Sequence, residues 1–390
     1  MPPEVHATLS ASASHRWLNC PASIEMAKLF PSRRSPYAAE GTIAHAMAEA
    51  EITSDALAAP EAKLAEAQLF YADNPAMEGS AAEMAHYVRD YVDFVKETYA
   101  TAKASDSSAI LLTEQHVDYG KYAPGGFGTA DAVIVANGEL TIIDLKFGRG
   151  VVVDAPNNPQ LRLYALGVLD GYRQVYNIDK VTMTIVQPRL THISTETLTA
   201  DELRAWGETV VKPAAERVAS HPMEGHSGDW CRFCPGAGAC KTRATECMDF
   251  VDLADSRELL TLSSDEIAEI LGGLDRIETW TKAVRDFALS EAICGKTIAG
   301  YKVVEGKSNR KYIDETKVAA AATEAGWNEA MIYERKLLGV SAMERLMGRK
   351  EFAEVCGALV EKPQGKPTLV PESDKRPPFS TADFDEIQGL

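Results

Sequence analysis

Three strand-length runs stand near the middle of the chain, at Ala109 to Tyr119, Thr129 to Ala136 and Glu139 to Phe147. Each is rich in β-branched residues and bounded by turn formers, which predicts β-strands. Ahead of them, through about Thr101, "AAEMAHYVRDYVDFVKETYA" places apolar residues at helical spacing, and "EGTIAHAMAEAEI" is dominated by good helix formers. After them, "PQLRLYALGVLDGY" predicts a helix and "KVTMTIVQP" a fourth strand. "HISTETLT" is a candidate extension of the sheet, and "ADELRAWGETVVKPAAERVAS" reads as one amphipathic helix. The core order is therefore α-β-β-β-α-β, an α/β mixed sheet flanked by helices.

The pattern changes after Phe250. "SSDEIAEILGGLDRIETWTKAVRDFALSEAIC" predicts one or two helices, opened by a capping box at Ser263 and Glu266. "KTIAGYKVVEGKSNRKYID" predicts a hairpin, with short helices beyond. From about Glu361 proline and charge dominate, which predicts a flexible tail. The chain thus divides into a first domain over 1–248, a helical or α+β extension over 249–360, and a tail over 361–390.

Charge interrupts the apolar pattern at one place. Asn137-Gly138 is the preferred pair for a two-residue type I′ turn between the second and third strands. That turn sets Asp131 opposite Asp144, with Lys146 on the face of Asp144. Opposed carboxylates repel, a cost that a buried sheet avoids unless something offsets it. A divalent cation such as Mg²⁺ or Mn²⁺ does so, and Lys146 is then placed to orient or deprotonate a water or to stabilise charge on phosphate oxygens. The alternative is a solvated sheet face on which Lys146 offsets the acids.

Composition narrows the function classes. Of 390 residues 45% are hydrophobic and 25% charged, with a net charge of −17, which argues against broad nonspecific adhesion to nucleic acid. A local basic groove, or a site where metal ions neutralise phosphates, remains compatible. No apolar run approaches the roughly 20 residues that span a bilayer, and the N-terminus has no segment of signal-peptide type, so a cytoplasmic protein is expected. Seven cysteines in such a chain favour metal ligation over a disulfide framework. Cys231-x₂-Cys234-x₅-Cys240 has the spacing of a ligand loop, with Cys20, Cys247 and His226 as candidates for a fourth ligand.

These motifs together resemble the PD-(D/E)XK nuclease superfamily. An acid after a strand-opening glycine (Gly128, Asp131), then a hairpin to Asp144-Leu145-Lys146, is similar to its signature, and α-β-β-β-α-β is its restriction-endonuclease-like core. "GTIAH" with His45, "QLRLYA" with Gln160 and Tyr164, and "SHRWLNCP" paired with "CRFCPGAGAC" narrow the resemblance to the RecB/AddB-like branch, over about Ser12 to Cys247. The texture looks most like a group of such nucleases encoded by phages and prophages. The resemblance implies His45, Asp131 and Asp144 as ligands of Mg²⁺ or Mn²⁺, the Leu145 carbonyl as an extra ligand, Lys146 as the residue that prepares water, and Gln160 and Tyr164 as positioning residues. On its residues alone His45 reads equally as a surface partner of Glu49, one turn on. Glu114 is a further candidate acid, in competition with Gln115, His116 and Asp118.

In that branch one upstream cysteine joins three downstream ones around a 4Fe-4S cluster, which implies Cys20 with Cys231, Cys234 and Cys240. Structural Zn²⁺ is the rival. Cys247, Cys294 and Cys356 are expected to be ordinary buried thiols. Arg149, Arg162, Arg232, Lys241, Arg243, Lys307, Arg310 and Lys311 are the candidate phosphate contacts. The implied function is a metal-dependent DNA nuclease, an exonuclease on DNA ends or single strands, working with a phage recombination or replication protein in the cytoplasm of a bacterial host. The competing readings are a non-catalytic DNA-binding or recombination-partner subunit on the same fold, and a zinc-stabilised adaptor.

Overall fold

The computed structural model describes residues 7–31, 35–53, 58–252, 263–304, 315–333 and 339–360. Its first unit, Met1–Val304, is built on a five-stranded mixed sheet of order β1-β2-β3-β4-β5. The strands are β1 (Ile110–Asp118), β2 (Phe127–Ala136), β3 (Gly138–Leu145), β4 (Ile178–Gln187) and β5 (His192–Thr199). The three hairpin-type pairs are antiparallel, whereas β3 and β4 run parallel. Parallel neighbours need a crossover, and the predicted "PQLRLYALGVLDGY" supplies it as a helix over Pro159–Tyr172.

Helices cover both faces. Short α1 (Ser14–Trp17) and α2 (Ser23–Leu29) precede α3 (Pro36–Thr53), α4 (Ala58–Asp73) and α5 (Ala81–Ser105). The crossover is α6, followed by α7 (Ala200–Trp206), α8 (Lys212–Ser220), α9 (Lys241–Asp252) and α10 (Ser264–Ile293). Val133, Val135, Leu140, Ile142, Met183 and Ile185 pack on one side with Leu163 and Leu166 of α6 and Leu203 of α7. Ala132, Ile134, Ile143 and Leu145 pack on the other with Ile43, Met47, Val88 and Tyr91 of α3 and α5. Buried on both faces, β3 and most of β4 read as near-continuous apolar runs rather than alternating ones.

Several expectations change in detail. The helix predicted over Ala200–Ser220 is α7 and α8 joined by a π-helical turn at Gly207–Val211. Pro213 offers no N–H to the preceding turn, and Gly207 packs where a Cβ would lie 2.6 Å from Tyr122. The capping box at Ser263 and Glu266 is present and opens α10. That helix belongs to the first unit, which runs past the boundary drawn at residue 248: Phe287 packs edge-on to Phe30, and Arg243 donates to Thr279 Oγ1 at 2.8 Å.

The second unit, Glu305–Leu390, contains α11 (Glu315–Glu324), α12 (Glu329–Ile332), α13 (Val340–Met347) and α14 (Arg349–Cys356). Its described residues hold no strand, so of the two expected forms, helical or α+β, the extension is helical there. In the expected hairpin at Lys296–Asp314, residues 296–304 form no strand and 305–314 lie outside the described residues, as does the tail over 361–390.

One buried ion pair fixes α3 against the sheet. Arg189, just after β4, lies 2.9 Å from Glu40 and stacks 4.7 Å from the Phe147 ring, while Tyr71 of α4 donates to the same carboxylate at 2.5 Å. The pair carries the start of α3 to the end of β3, which is where its His45 is needed.

Candidate metal centre

The hairpin register is the one the sequence implies. Ala132 faces Ile143 and Val133 faces Ile142, which extrapolates to Asp131 against Asp144. The turn chemistry differs. Gly138 has φ +89° but Asn137 has none of the positive φ that a type I′ turn requires, so the glycine alone takes the left-handed position. Register survives because both β2 and β3 bury both faces, and a one-residue slip would exchange them.

A backbone break then aims the acids. Upstream of Asp131 it is Ala130 that joins the core under α6, and downstream it is Val133 and Val135, so the alternation slips by one at Asp131. In β1, Val117 and Leu112 meet that same core from positions of opposite parity, so β1 slips as well. Glu114 lies opposite, with φ +44°, while pairing on either side stays in register at Gln115↔Ala130 and Thr113↔Ala132. A non-glycine residue in this region is strained by about 1–3 kcal/mol, and such strain clusters at functional sites. Here it brings the Glu114 and Asp131 carboxylates to His45.

His45, Glu114 and Asp131 offer ligand atoms that all lie within 4.8 Å of one another, with His45 Nδ1 3.2 Å from Asp131 Oδ1. The other Asp131 oxygen accepts the Leu145 amide at 2.7 Å, which ties β2 to β3 at the site. A cavity of about 430 Å³, lined by His45, Glu49, Glu114 and small residues of α3, opens onto the group. Behind it, Lys146 Nζ lies 2.8 Å from Asp144 Oδ2 and donates to Gln160 Oε1 at 3.1 Å. Gln160 Nε2 lies 3.0 Å from Tyr164 Oη and 3.5 Å from Asp144 Oδ1. Asp144 is almost fully buried, and its Oδ2 accepts no well-directed hydrogen bond despite the nearby ammonium. The Lys146 ammonium is its counter-charge, and a cation bound on the open side would share the same carboxylate.

The electrostatics follow from crowding. Burial disfavours a charged His45, yet the Asp131 carboxylate, its hydrogen bond and Asp144 raise the imidazole pKa to about 9. Burial first, then Asp131, pushes Glu114 up to about 7. Burial also pushes Asp144 up. For Lys146 burial works against the charge, but Asp144 and Asp131 outweigh it and hold the ammonium. Burial, then Asp144, keeps the Tyr164 phenol protonated.

A pH dependence follows. In the metal-free protein His45 has a folded pKa above its unfolded one, so its stabilisation is complete below about pH 6.5 and is lost as pH rises through about 9. A cation needs the neutral imidazole and the ionised Glu114, so its binding releases protons. Mn²⁺ affinity should rise from about pH 6 to about 9, with close to one proton released from His45 at pH 7. Calorimetry in two buffers of different ionisation heat measures this directly. Equal heats in both buffers would contradict the ligand set.

Of the implied ligands, His45 and Asp131 stand in the cluster and Glu114 joins them, ahead of its competitors: Asp118 caps Gly120 N–H, Gln115 donates to the His116 carbonyl, and His116 stacks on Phe127. Asp144 is adjacent but outside that group, engaged with Lys146 and Gln160. Leu145 is fully buried and joins the site through its amide. The basic residues fare differently. Arg162 is held by Glu196 at 2.5 Å, and Arg243 is buried against the Cys231 carbonyl, so both are structural. Arg149 is half-exposed, 3.9 Å from Glu78, while Lys307, Arg310 and Lys311 lie outside the described residues.

The cysteines come together from segments more than two hundred residues apart. Cys231 and Cys240 each act electrostatically on both Cys20 and Cys234, and burial raises the latter two thiols. His226 N–H donates to Cys20 Sγ at 3.4 Å, Ala22 N–H to the Glu224 carbonyl at 2.9 Å, and Arg16 to the Phe233 carbonyl. Cys247 is buried within reach of Cys231, whereas Cys294 is exposed and not the buried thiol expected. No three of these sulfurs lie within 4.8 Å of one another. Four thiolates on tetrahedral zinc stand ~3.8 Å apart, given Zn–S bonds of about 2.3 Å.

The family model "Protein of unknown function (DUF2800)" matches residues 6–377, nearly the whole chain. This chain belongs to the DUF2800 family. Both the metal-centre residues and the cysteine clasp of this DUF2800 chain fall inside the matched span. A solved structure described as "Crystal structure of SSO0001" overlaps 61% of this chain and 87% of its own at 14% identity and a TM-score of 0.28, an overlap too small to bear on the fold. Among the described residues no helix is long and apolar enough to cross a membrane.

Proposed function

We propose that this protein is a metal-dependent deoxyribonuclease with a PD-(D/E)XK core of the RecB/AddB-like kind. One observation carries the reading: the His45–Glu114–Asp131 cluster stands beside a buried Asp144–Lys146–Gln160–Tyr164 string at a strained break in the sheet. The α-β-β-β-α-β order, with α6 crossing between parallel β3 and β4, supports it. His45, Glu114 and Asp131 would hold Mg²⁺ or Mn²⁺, with the adjacent Asp144 supplying a further carboxylate oxygen. Such an ion supplies charge neutralisation at the phosphate and lowers the pKa of water.

The chain's own residues do the rest. Lys146, held as an ammonium, stabilises charge on the phosphate oxygens rather than acting as a base. Gln160 fixes the ammonium by accepting from it, and Tyr164, four residues on along α6, fixes Gln160. The amide of Gln160 is also within reach of Asp144, so α6 sets the distance between acid and lysine. Cys20, Cys231, Cys234 and Cys240 would hold a 4Fe-4S cluster as a structural clasp, in preference to Zn²⁺. DNA ends or single strands are the substrates, in a phage-type recombination or replication setting.

The test is incubation of end-labelled linear DNA and covalently closed circular DNA with the protein and Mg²⁺ or Mn²⁺. Loss of label from linear DNA with the circle intact is the expected result. No degradation of either form with either ion would leave a non-catalytic DNA-binding subunit as the better account.

A further inference from the structure

A second pocket lies away from the metal centre, on the N-terminal segment. It encloses about 240 Å³ and is lined by Thr8, Ser10, Arg16, Ser23 and Lys28, with alanines and Ile24 completing the wall. Among the described residues no acidic one lines it, in a chain whose net charge is −17. Its polar inventory is three hydroxyls and two cations, which is donor-rich and matched to an oxyanion.

Ser23 supplies the independent observation. Its side chain is nine-tenths or more buried, at 4% exposure, and its Oγ has no hydrogen-bond partner. A buried hydroxyl without a partner is a standing cost that a ligand oxygen would remove. Arg16 spends one guanidinium nitrogen on the Phe233 carbonyl and keeps its other donors. Lys28 is largely exposed and paired at 2.7 Å with Glu25, which does not line the pocket. An exposed pair of this kind is weak and yields readily to a doubly charged anion.

The pocket is joined to the nuclease core by short links. Trp17 donates to the Ser10 carbonyl at 3.0 Å, and Tyr119 donates to the Leu9 carbonyl at 2.9 Å. Ala11 packs at Gly128 of β2, where a Cβ would lie 2.8 Å from the Tyr164 ring. The segment that forms the pocket thus rests on the same strand and the same tyrosine as the metal centre.

We infer that this pocket is a binding site for a phosphate group, held by Arg16, Lys28 and the hydroxyls of Thr8, Ser10 and Ser23. The anion chemistry stands independently of the nuclease reading. That the phosphate belongs to a DNA end or backbone rests on that reading.

Binding to the full-length protein is measured in EDTA, so that neither metal nor cleavage enters. The probes are inorganic phosphate by calorimetry, and a short single-stranded oligonucleotide with a 5′-phosphate or a 5′-hydroxyl by fluorescence anisotropy. Ser23→Ala and Lys28→Gln should each weaken phosphate binding about tenfold. Ser23→Ala should leave the melting temperature unchanged or raised, because it removes a hydroxyl that has no partner. Tighter binding of the phosphorylated oligonucleotide, in competition with inorganic phosphate, assigns the site to DNA. Binding of inorganic phosphate alone, sensitive to both variants, assigns it to a free anion. Absence of phosphate binding, or binding that both variants leave unchanged, overturns the proposal. Cleavage assays with Mn²⁺ report separately on the metal centre.

Discussion

Replacing Lys146 with methionine is expected to lower DNA cleavage by about 10³-fold and to cost ~3–5 kcal/mol of stability, and the two losses have different causes. Lys146 is the counter-ion of Asp144, whose side chain is 3% exposed. Removing the lysine leaves that carboxylate buried beside Asp131 with only the His45 imidazolium to offset it, which is the costly half of breaking a buried pair. Asp144→Asn should cost less, because Lys146 is 27% exposed and can turn its ammonium towards water. The double variant Asp144→Asn with Lys146→Met carries no net buried charge and should recover most of the stability. It should recover none of the cleavage, since the ammonium that faces the phosphate and the acid that faces the ion are both gone. Urea unfolding and cleavage of end-labelled DNA with Mn²⁺ measure the two quantities on the same four proteins. Cleavage by Lys146→Met within tenfold of the parent would remove Lys146 from the chemistry. A double variant no more stable than Lys146→Met would show that the pair is not coupled as its 2.8 Å separation implies.

That burial couples Asp144 to Lys146 is more than a linear pattern can express. Strand positions, the hairpin register and α6 follow from local periodicity and turn residues, and they agree with the structure to within a residue or two. The face on which each acid lies does not. It depends on the break at Glu114 and Asp131, where a glutamate adopts a left-handed φ that no residue preference announces. For the same reason the sequence leaves Glu114 level with Gln115, His116 and Asp118, and only the reversed alternation selects it. Arg162 and Arg243 look like free cations in the sequence because their partners, Glu196 and the Cys231 carbonyl, stand in other elements. The boundary near residue 248 looked natural because composition changes there, yet Phe30 and Thr279 tie α10 back to the first unit.

Cys20→Ala should lower the melting temperature of the metal-loaded protein by roughly 10 °C and abolish its bound iron, because one thiol closes a loop of more than two hundred residues. Protein-only contacts between the two segments include His226 N–H to Cys20 Sγ, Ala22 N–H to the Glu224 carbonyl, Arg16 to the Phe233 carbonyl, His15 edge-on to Trp230, and Met26 and Phe30 against Gly236. All but the first survive in the variant. If they alone held the clasp, truncating a small buried thiol would cost only ~1 kcal/mol, or about 3 °C. A bound group that recognises only the folded arrangement adds its own binding free energy to stability, so its loss is felt in full. Cys294→Ala, at an exposed position at the end of α10, is the control and should change neither melting temperature nor metal content. Anaerobically purified parent protein should carry iron with visible charge-transfer absorbance, whereas stoichiometric zinc without iron would assign the four sulfurs to a structural zinc site instead. Because Cys20 lies between α1 and α2, which carry Arg16, Ser23 and Lys28 of the proposed phosphate pocket, the same variant should also weaken phosphate binding. The clasp would then serve the site as well as the fold, by holding Arg16 between the Phe233 carbonyl and the anion.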